Sequence, residues 1–374
     1  MDEAISHQSQ ARTHLSFRNS INRVFALQSG LPTKKLSLKY HIEEDSEIAY
    51  VCPWICYAVE QGVLELKVTI KMTHSQLSLP CELFTSKTLV KLTLGTGINL
   101  AKLPPDVSLP ALKKEDLCNV LLSGCPVLEE LFVRHEDYIG SPFYISNKII
   151  KKLSVHYDYE SEFDITMPCM SFDAPSLVSL DYSDLALSEY PQVNLESLVK
   201  ARLDICYSNM IERPDVSSLV TGISNVETLH LSPASSDVIS RCVGHGLLLP
   251  LFDNLVNLSF GSKNKRGWKL LPYLLRQSPK LETLIIQDLN AYTDDVSLPP
   301  NQMKVLHILG YRRTAQELEQ LKSLLTEFEC IEFVQVDVSE EDDGIILQAT
   351  KDLMMLPGVS VSSKCHIKIT HCAS

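Results

Sequence analysis

The stretch Leu117–Val133, LCNVLLSGCPVLEELFV, contains a complete pattern of helix, turn and strand. Its first part has apolar residues at the i, i+3 and i+4 spacing of one helix face. A turn-forming glycine and a proline, Gly124 and Pro126, then predict the end of that helix. In the final LEELFV, Leu131 and Val133 lie on the same face of a strand. Such a unit cannot bury its apolar face alone, so it needs neighbouring copies of itself.

The six-residue strand pattern, with apolar residues at its first, fourth and sixth positions, recurs along the chain. The copies begin at Thr33, Val63, Leu89, Leu128, Ile150, Leu177, Leu198, Val226, Leu255, Leu281, Met303 and Ile331. Most intervals between them lie near the roughly 20–29 residue period of leucine-rich repeats. We therefore predict an α/β fold, a right-handed leucine-rich repeat solenoid with parallel strands on its concave face, closed by a small α+β C-terminal cap.

The repeat pattern also predicts how the chain is divided. Residues 1–30 are expected to form a polar N-terminus and a capping helix over 17–30, because a repeat array exposes its core at both ends. Residues 31–300 are expected to form the solenoid and 301–374 the C-terminal cap. The copies beginning at Leu89 and Leu128 lie 39 residues apart. This long interval predicts that a strand is missing near Leu112.

Composition excludes several classes of function. The formal net charge of −12 over 374 residues argues against nucleic acid as a partner, since a phosphate-binding surface is normally basic. No apolar run approaches the ~18 residues of a membrane span, and the polar N-terminus does not resemble a secretory signal. The eleven cysteines are scattered and odd in number, which is typical of reduced thiols. We predict a monomer in the cytoplasm or nucleus.

No motif predicts catalysis, a metal or a cofactor. Gly95-Thr96-Gly97 lacks the third glycine of a dinucleotide-binding loop, so we interpret it as a loop between repeats. Cys52 and Cys56 have three residues between them and no matching pair downstream, which favours buried thiols over zinc. We interpret the basic run from Lys263 to Arg266 as a solvated loop rather than a nuclear signal or a nucleic-acid contact.

The candidate working surface consists of strand residues that point away from the core. In a solenoid these positions line the concave side. A mixed polar and aromatic set suits protein recognition, where a few anchors dominate the affinity. The candidate protein-binding residues are Phe132, Arg134, His156, Asp181, His230, Ile285 and His307.

Several motifs resemble the plant F-box proteins that carry leucine-rich repeats and an FBD-type C-terminal domain. They are FRNSINRVFAL, LPTKKLSLKY, LLSGCPVLEELFV, SFDAPSLVSLDYSD, RQSPKLETLII and the run from Leu309 to Cys365. The resemblance implies a non-enzymatic substrate receptor whose repeats bind a target protein. It also implies an N-terminal F-box that docks on the Skp-type adaptor of a cullin ubiquitin ligase.

One departure from that family concerns ligase docking. The F-box should precede the helix that begins at Phe17, where only the sixteen residues of a polar N-terminus stand. We therefore predict that the F-box is absent. The alternative function is then a repeat-only scaffold or competitor, or a decayed paralogue, that binds a target without docking on the ligase. The sequence does not name the target protein.

Overall fold

The chain divides into two compact units, Met1–Pro142 and Phe143–Ser374. A computed structural model describes residues 19–24, 34–42, 47–72, 76–99, 117–135, 144–157, 169–208, 211, 213–289, 292, 296–312, 314–328, 330–338 and 366–371.

Unit 1 alternates parallel strands with helices. Its elements are helix α1 (residues 19–24), strand β1 (Lys35–His41), helix α2 (Ile48–Glu60), strands β2 (Glu65–Lys71) and β3 (Leu77–Ser78), a 3₁₀ helix (Cys81–Thr85), strands β4 (Lys91–Leu94) and β5 (Ile98–Asn99), helix α3 (Leu117–Gly124) and strand β6 (Glu130–His135). Strands β1, β2, β4 and β6 pair in parallel in that order. The strand predicted to be missing near Leu112 falls in 101–116, outside the described residues, and β4 pairs directly with β6.

Unit 2 continues the alternation. Its elements are strands β7 (Tyr144–Ser146), β8 (Lys152–Tyr157), β9 (Ser171–Asp173), β10 (Ser179–Leu185), β11 (Val193–Asn194) and β12 (Lys200–Cys206), helix α4 (Ser217–Gly222), strand β13 (Thr228–Leu231), helix α5 (Pro233–Gly244), strand β14 (Asn257–Phe260), helices α6 (Lys265–Trp268) and α7 (Leu270–Arg276), strands β15 (Thr283–Ile286) and β16 (Val305–Tyr311), helix α8 (Ala315–Thr326), and strands β17 (Phe333–Val338) and β18 (His366–His371). A parallel ladder runs β8, β10, β12 and then β13 to β18 in chain order.

The predicted α/β class with parallel strands is confirmed. The C-terminal segment contains the expected helix α8 and strands β17 and β18. The right-handed solenoid, its concave face, the cap and the boundaries at 30/31 and 300/301 stay predictions. Of the predicted capping helix, residues 19–24 are helical and the rest lies outside the described residues.

Within each unit, many successive repeats are joined by a backbone carbonyl that accepts two hydrogen bonds at the start of the following strand. The Val199 carbonyl accepts from the Glu227 and Thr228 amides at 2.9 and 3.1 Å. Paired backbone carbonyls of this kind each contribute a modest net stabilisation. The carbonyls that accept in this way belong to Lys34, Leu64, Val90, Lys151, Val178, Val199, Glu227, Val256, Glu282 and Lys304.

A tight turn precedes many of these strands. The Leu177 amide donates to the Ala174 carbonyl at 3.0 Å, and the turn ends at the first apolar residue of the six-residue pattern. Proline fixes φ at the second turn position, a role it often takes. The prolines in this position are Pro126, Pro175 and Pro279. Pro126, which predicted the end of a helix, therefore also fixes the backbone φ in the turn that leads into strand β6.

Gly124 permits a close approach between two backbones. It is the last residue of α3 and its φ is not positive, so a left-handed turn does not explain it. A Cβ at this position would overlap the carbonyl oxygen of Phe84 in the 3₁₀ helix. Next to it, the Cys125 thiol donates to the Leu83 carbonyl at 3.2 Å. The sequence predicted that Gly124 forms a turn. In the structure a glycine is needed because any Cβ here would collide with the Phe84 backbone.

Replacing Gly124 with alanine should lower the free energy of unfolding by roughly 1–3 kcal/mol, because the added methyl overpacks a buried contact. Gly244, the last residue of α5, has no atom within 4 Å of a built Cβ. Gly244→Ala should therefore leave stability unchanged or slightly raise it, since alanine favours the helix. Chemical denaturation of both variants measures the difference. Equal destabilisation of the two would contradict the close-approach explanation.

Candidate functional site

Within each unit, the fifth positions of the six-residue copies form a row across the parallel strands. Successive strands in unit 2 place these residues in direct register, so that His230, for example, lies between Arg202 and Ser259. From β8 to β18 this strand row reads Ser154, Asp181, Arg202, His230, Ser259, Ile285, His307, Gln335 and Lys368. In unit 1 the corresponding residues are Ser37, Lys67, Thr93 and Phe132.

Five predicted site residues belong to unit 2. Asp181, His230, Ile285 and His307 lie in the strand row, and His156 lies two residues beyond the row on β8. All of them are half-buried. The remaining two predicted residues belong to unit 1.

Phe132 and Arg134 alternate with buried residues on β6. Phe132 is half-buried and faces Thr93 of β4 in the register, and Arg134 is exposed. The alternation that predicted these outward positions is therefore present in both units.

Asp181 links three neighbouring strands. Its carboxylate oxygens lie 3.2 Å from His156 Nε2 on β8 and 3.7 Å from Arg202 Nε on β12. A carboxylate placed between two basic groups loses rotamer freedom before any partner arrives. The Arg202 side chain is more exposed than that of His156 and retains guanidinium N–H donors for a ligand.

The Gln287 side chain contacts residues of two strands in the middle of the strand row. Its amide nitrogen donates to the Leu231 carbonyl at 2.7 Å and to Ser259 Oγ at 3.1 Å, and lies 3.5 Å from His230 Nε2. These contacts cover Ser259, whose side chain is buried rather than pointing into solvent. Burial, and then the positive charge of Arg202, lower the pKa of His230 below its ordinary value. The imidazole is therefore neutral at physiological pH.

Asp337, two residues beyond the strand row on β17, forms a polar cluster with side chains of the row and of β18. It lies 2.9 Å from His307 Nε2, and its other carboxylate oxygen accepts from Gln335 Nε2 at 3.0 Å and from the Thr370 hydroxyl. Burial alone would raise the pKa of Asp337, but the hydrogen bonds from Thr370, Gln335 and His307 outweigh it and hold that pKa below its usual value. The ionised carboxylate thus fixes side chains from three strands.

Sequence reasoning missed several members of this surface. Arg202 and Gln335 occupy the fifth position of the two loosest copies, LVKARL and IEFVQV, so the pattern itself indicated them. Gln287 and Asp337 lie two residues beyond their row positions, and the partners that fix them come largely from neighbouring strands. No alternation within one strand reveals such contacts.

The thiols near the N-terminal end of unit 1 surround a carboxylate. Cys56 and Cys81 both donate to Glu82 Oε2, at 3.4 and 3.3 Å. Burial, together with Glu82, raises the pKa of Cys56 to about 12, which keeps this thiol protonated. Among the described residues, no group of three or more His, Cys, Asp or Glu side chains is placed to hold a metal ion. Within the same residues, no helix is long and apolar enough to cross a membrane.

Comparison with known proteins identifies the family. Residues 51–197 match the model for the leucine-rich repeats of FBD-associated F-box protein At5g56370. F-box/LRR-repeat protein At3g60040 of Arabidopsis thaliana is 54% identical over 369 residues, which cover 95% of this chain and 81% of that protein. This chain belongs to the plant F-box/LRR-repeat family. A second member, F-box/LRR-repeat protein At1g06630 of the same plant, is 49% identical over 336 residues, covering 86% of this chain and 82% of that protein.

Membership in the F-box/LRR-repeat family confirms the resemblance that the sequence motifs indicated. The matched range contains the copies that begin at Val63, Leu89, Leu128, Ile150 and Leu177. Those copies are therefore leucine-rich repeats. The predicted absence of an F-box concerns residues before Phe17, which lie outside the described residues.

Removing the Asp337 carboxylate should destabilise this F-box/LRR-repeat protein in a pH-dependent way. Asp337→Ala should lower the free energy of unfolding at neutral pH by roughly 1.5–3 kcal/mol, because hydrogen bonds to a charged group are lost. Since the folded-state pKa of Asp337 is lowered, its stabilisation is complete above about pH 4 and is lost as the pH falls through the folded-state pKa. The gap between wild type and variant should therefore narrow in acid.

Urea denaturation at several pH values measures this gap. Asp253→Ala is the control, because Asp253 lies exposed in a turn of the same unit. A gap for Asp337→Ala that stays constant into acid would show that the carboxylate is not held ionised by its neighbours.

Proposed function

We propose that this F-box/LRR-repeat protein is a non-enzymatic recognition module that binds a target protein across the strand row. The observation that carries the proposal is the register of that row. It presents cationic, anionic, neutral polar and apolar side chains in one line, as with Arg202, Asp181, Gln335 and Ile285. Protein interfaces combine such groups, with arginine and large apolar anchors at their centres.

Preorganisation supports the proposal. The side chains of Asp181, Gln287 and Asp337 are each held by contacts to neighbouring strands. Binding then costs less side-chain entropy than it would on a surface of freely rotating residues. Of the predicted site residues in this row, Ile285 supplies an apolar contact, and the row member Arg202 supplies exposed donors.

We further propose that the two units belong to a right-handed solenoid with the strand row on its concave side, extending over 31–300 and followed by a cap at 301–374. In a parallel α/β repeat array, strands lie on the inner side and helices on the outer side. The predicted residues Phe132 and Arg134 then lie on the concave face of the unit 1 repeats, and His156, His230 and His307 on that of the unit 2 repeats. This arrangement would let one target contact several repeats.

Within its family, the protein is proposed to act as the substrate receptor of a Skp-cullin-F-box ubiquitin ligase. The names of its relatives, F-box/LRR-repeat proteins, support this role. The partners are then a target protein on the strand row and a Skp-type adaptor. A scaffold or competitor that holds the target without ligase docking is the alternative function.

The adaptor contact separates the two functions. Affinity of the purified chain for a Skp-type adaptor should be compared with that of an F-box-bearing relative. Affinity similar to the relative's supports the ligase receptor. No binding at concentrations that saturate the relative would favour the scaffold or competitor.

Target binding itself should depend on the strand row. The double variant Arg202→Ala/Ile285→Ala should reduce recovery of cross-linked partner proteins from plant extracts by roughly tenfold, since interface anchors carry most of the binding energy. Lys148→Ala/Lys151→Ala is the matched control, because both lysines are exposed outside the row in the same unit. Denaturation midpoints check that both variants are folded. Equal recovery with both variants would contradict binding on the row.

A further inference from the structure

Unit 2 carries a concentration of positive charge on helices α5 to α7, away from the strand row. Residues distant in sequence meet there, because α5 packs beside α6 and α7. We call this group the basic cluster; its members are Arg241, Lys265, Arg266 and Lys269. They surround a cavity of about 690 Å³, and Arg241, Lys265 and Arg266 also line a neighbouring cavity of about 550 Å³.

The basic run from Lys263 to Arg266 was interpreted as a solvated loop; its residues are exposed, but its second half belongs to a helix. Lys265 and Arg266 form the first turn of helix α6, which Asn264 caps by accepting a hydrogen bond from the Gly267 amide at 3.0 Å. The Ser240 hydroxyl on α5 donates to the Arg266 carbonyl at 2.8 Å and ties the two helices together. Lys265 and Arg266 therefore belong to a helix held by hydrogen bonds rather than to a free loop.

No side chain of the basic cluster forms an ion pair among the described residues, although one carboxylate lines the smaller cavity. None of its four side chains lies within the 4.0 Å ion-pair distance of a described carboxylate. The carboxylate that lines the smaller cavity, Asp237, already accepts a hydrogen bond from Ser262 Oγ at 2.6 Å, and burial raises its pKa. Four like charges repel one another, so an anionic ligand would relieve that repulsion.

Apolar side chains lie in the larger cavity and on the segment that follows α5. Leu248 is 88% exposed, which is unusual for leucine, and Tyr273 on α7 lines the larger cavity. Leu251, also exposed, stands next to Phe252, whose amide donates to the Gln277 carbonyl just beyond α7. Tyr207 lies under the Arg241 guanidinium, 4.1 Å from ring centroid to Cζ, and orients that cation.

We infer that the basic cluster binds an acidic segment of a partner protein that also carries large apolar side chains. The four cations match the carboxylates of such a segment, and Val243 and Tyr273, which line the larger cavity, match its apolar side chains. Two cavities of several hundred cubic ångströms are large enough to take several side chains of such a segment. The formal charge of −12 for the whole chain disfavours a long nucleic acid, whose phosphates would extend beyond the cluster. The surface is separate from the proposed strand-row site and does not depend on it.

Fluorescence anisotropy with the full-length chain tests the inference. The probe is a short fluorescein-labelled peptide that contains several glutamates and aspartates and two leucines. Lys265→Glu/Arg266→Glu should raise its Kd by roughly tenfold or more, because attraction is replaced by repulsion. Lys148→Glu/Lys151→Glu changes the net charge equally at a different surface of the same unit, so its Kd should stay within about twofold of wild type.

Two further peptides separate the contributions of charge and apolar contact. Replacing the acidic residues with their amides should abolish binding, and replacing the leucines with serine should weaken it. Equal losses for the two charge-reversal variants would overturn the inference, because only the net charge would then matter. Tighter binding of a single-stranded oligonucleotide or of phosphatidylserine vesicles than of the peptide, abolished by Lys265→Glu/Arg266→Glu, would also overturn it.

Discussion

The structure depends on backbone hydrogen bonds that only a neighbouring repeat can supply. At the start of many strands one carbonyl, such as that of Val178 or Val256, accepts from two consecutive amides of the next repeat. A repeat by itself would leave these groups unpaired and its apolar strand face exposed to water. Stability therefore accumulates through the contacts between successive repeats rather than through a single central core.

The same periodicity creates the candidate site. Because strand side chains alternate between two faces, the residues that do not pack in the core necessarily form rows across the ladder. The core row of unit 2 includes Leu229, Leu258 and Leu284, and the strand row lies one residue further along each strand. A change of partner specificity can thus occur in the strand row without altering the core.

Irregular features of the repeats generate the second surface. Strand β13 ends at Leu231, where β12 continues to Cys206. The Ser235 hydroxyl at the beginning of α5 takes the place of the missing strand backbone, donating to the Leu203 carbonyl at 2.9 Å and accepting from the Ile205 amide at 2.7 Å. These two hydrogen bonds hold the beginning of helix α5 against β12. Helix α5 carries Arg241 and packs beside α6.

The sequence by itself determined the α/β repeat class, the parallel strands and the strand positions that face away from the core, because those follow from apolar spacing within a few residues. It also indicated His156, Asp181 and His307 as outward positions. Only the tertiary structure decided that Gln287 covers Ser259, that Asp337 is fixed by three strands, and that four cations meet on the helices. These features depend on contacts between residues far apart in the chain, which local periodicity does not encode.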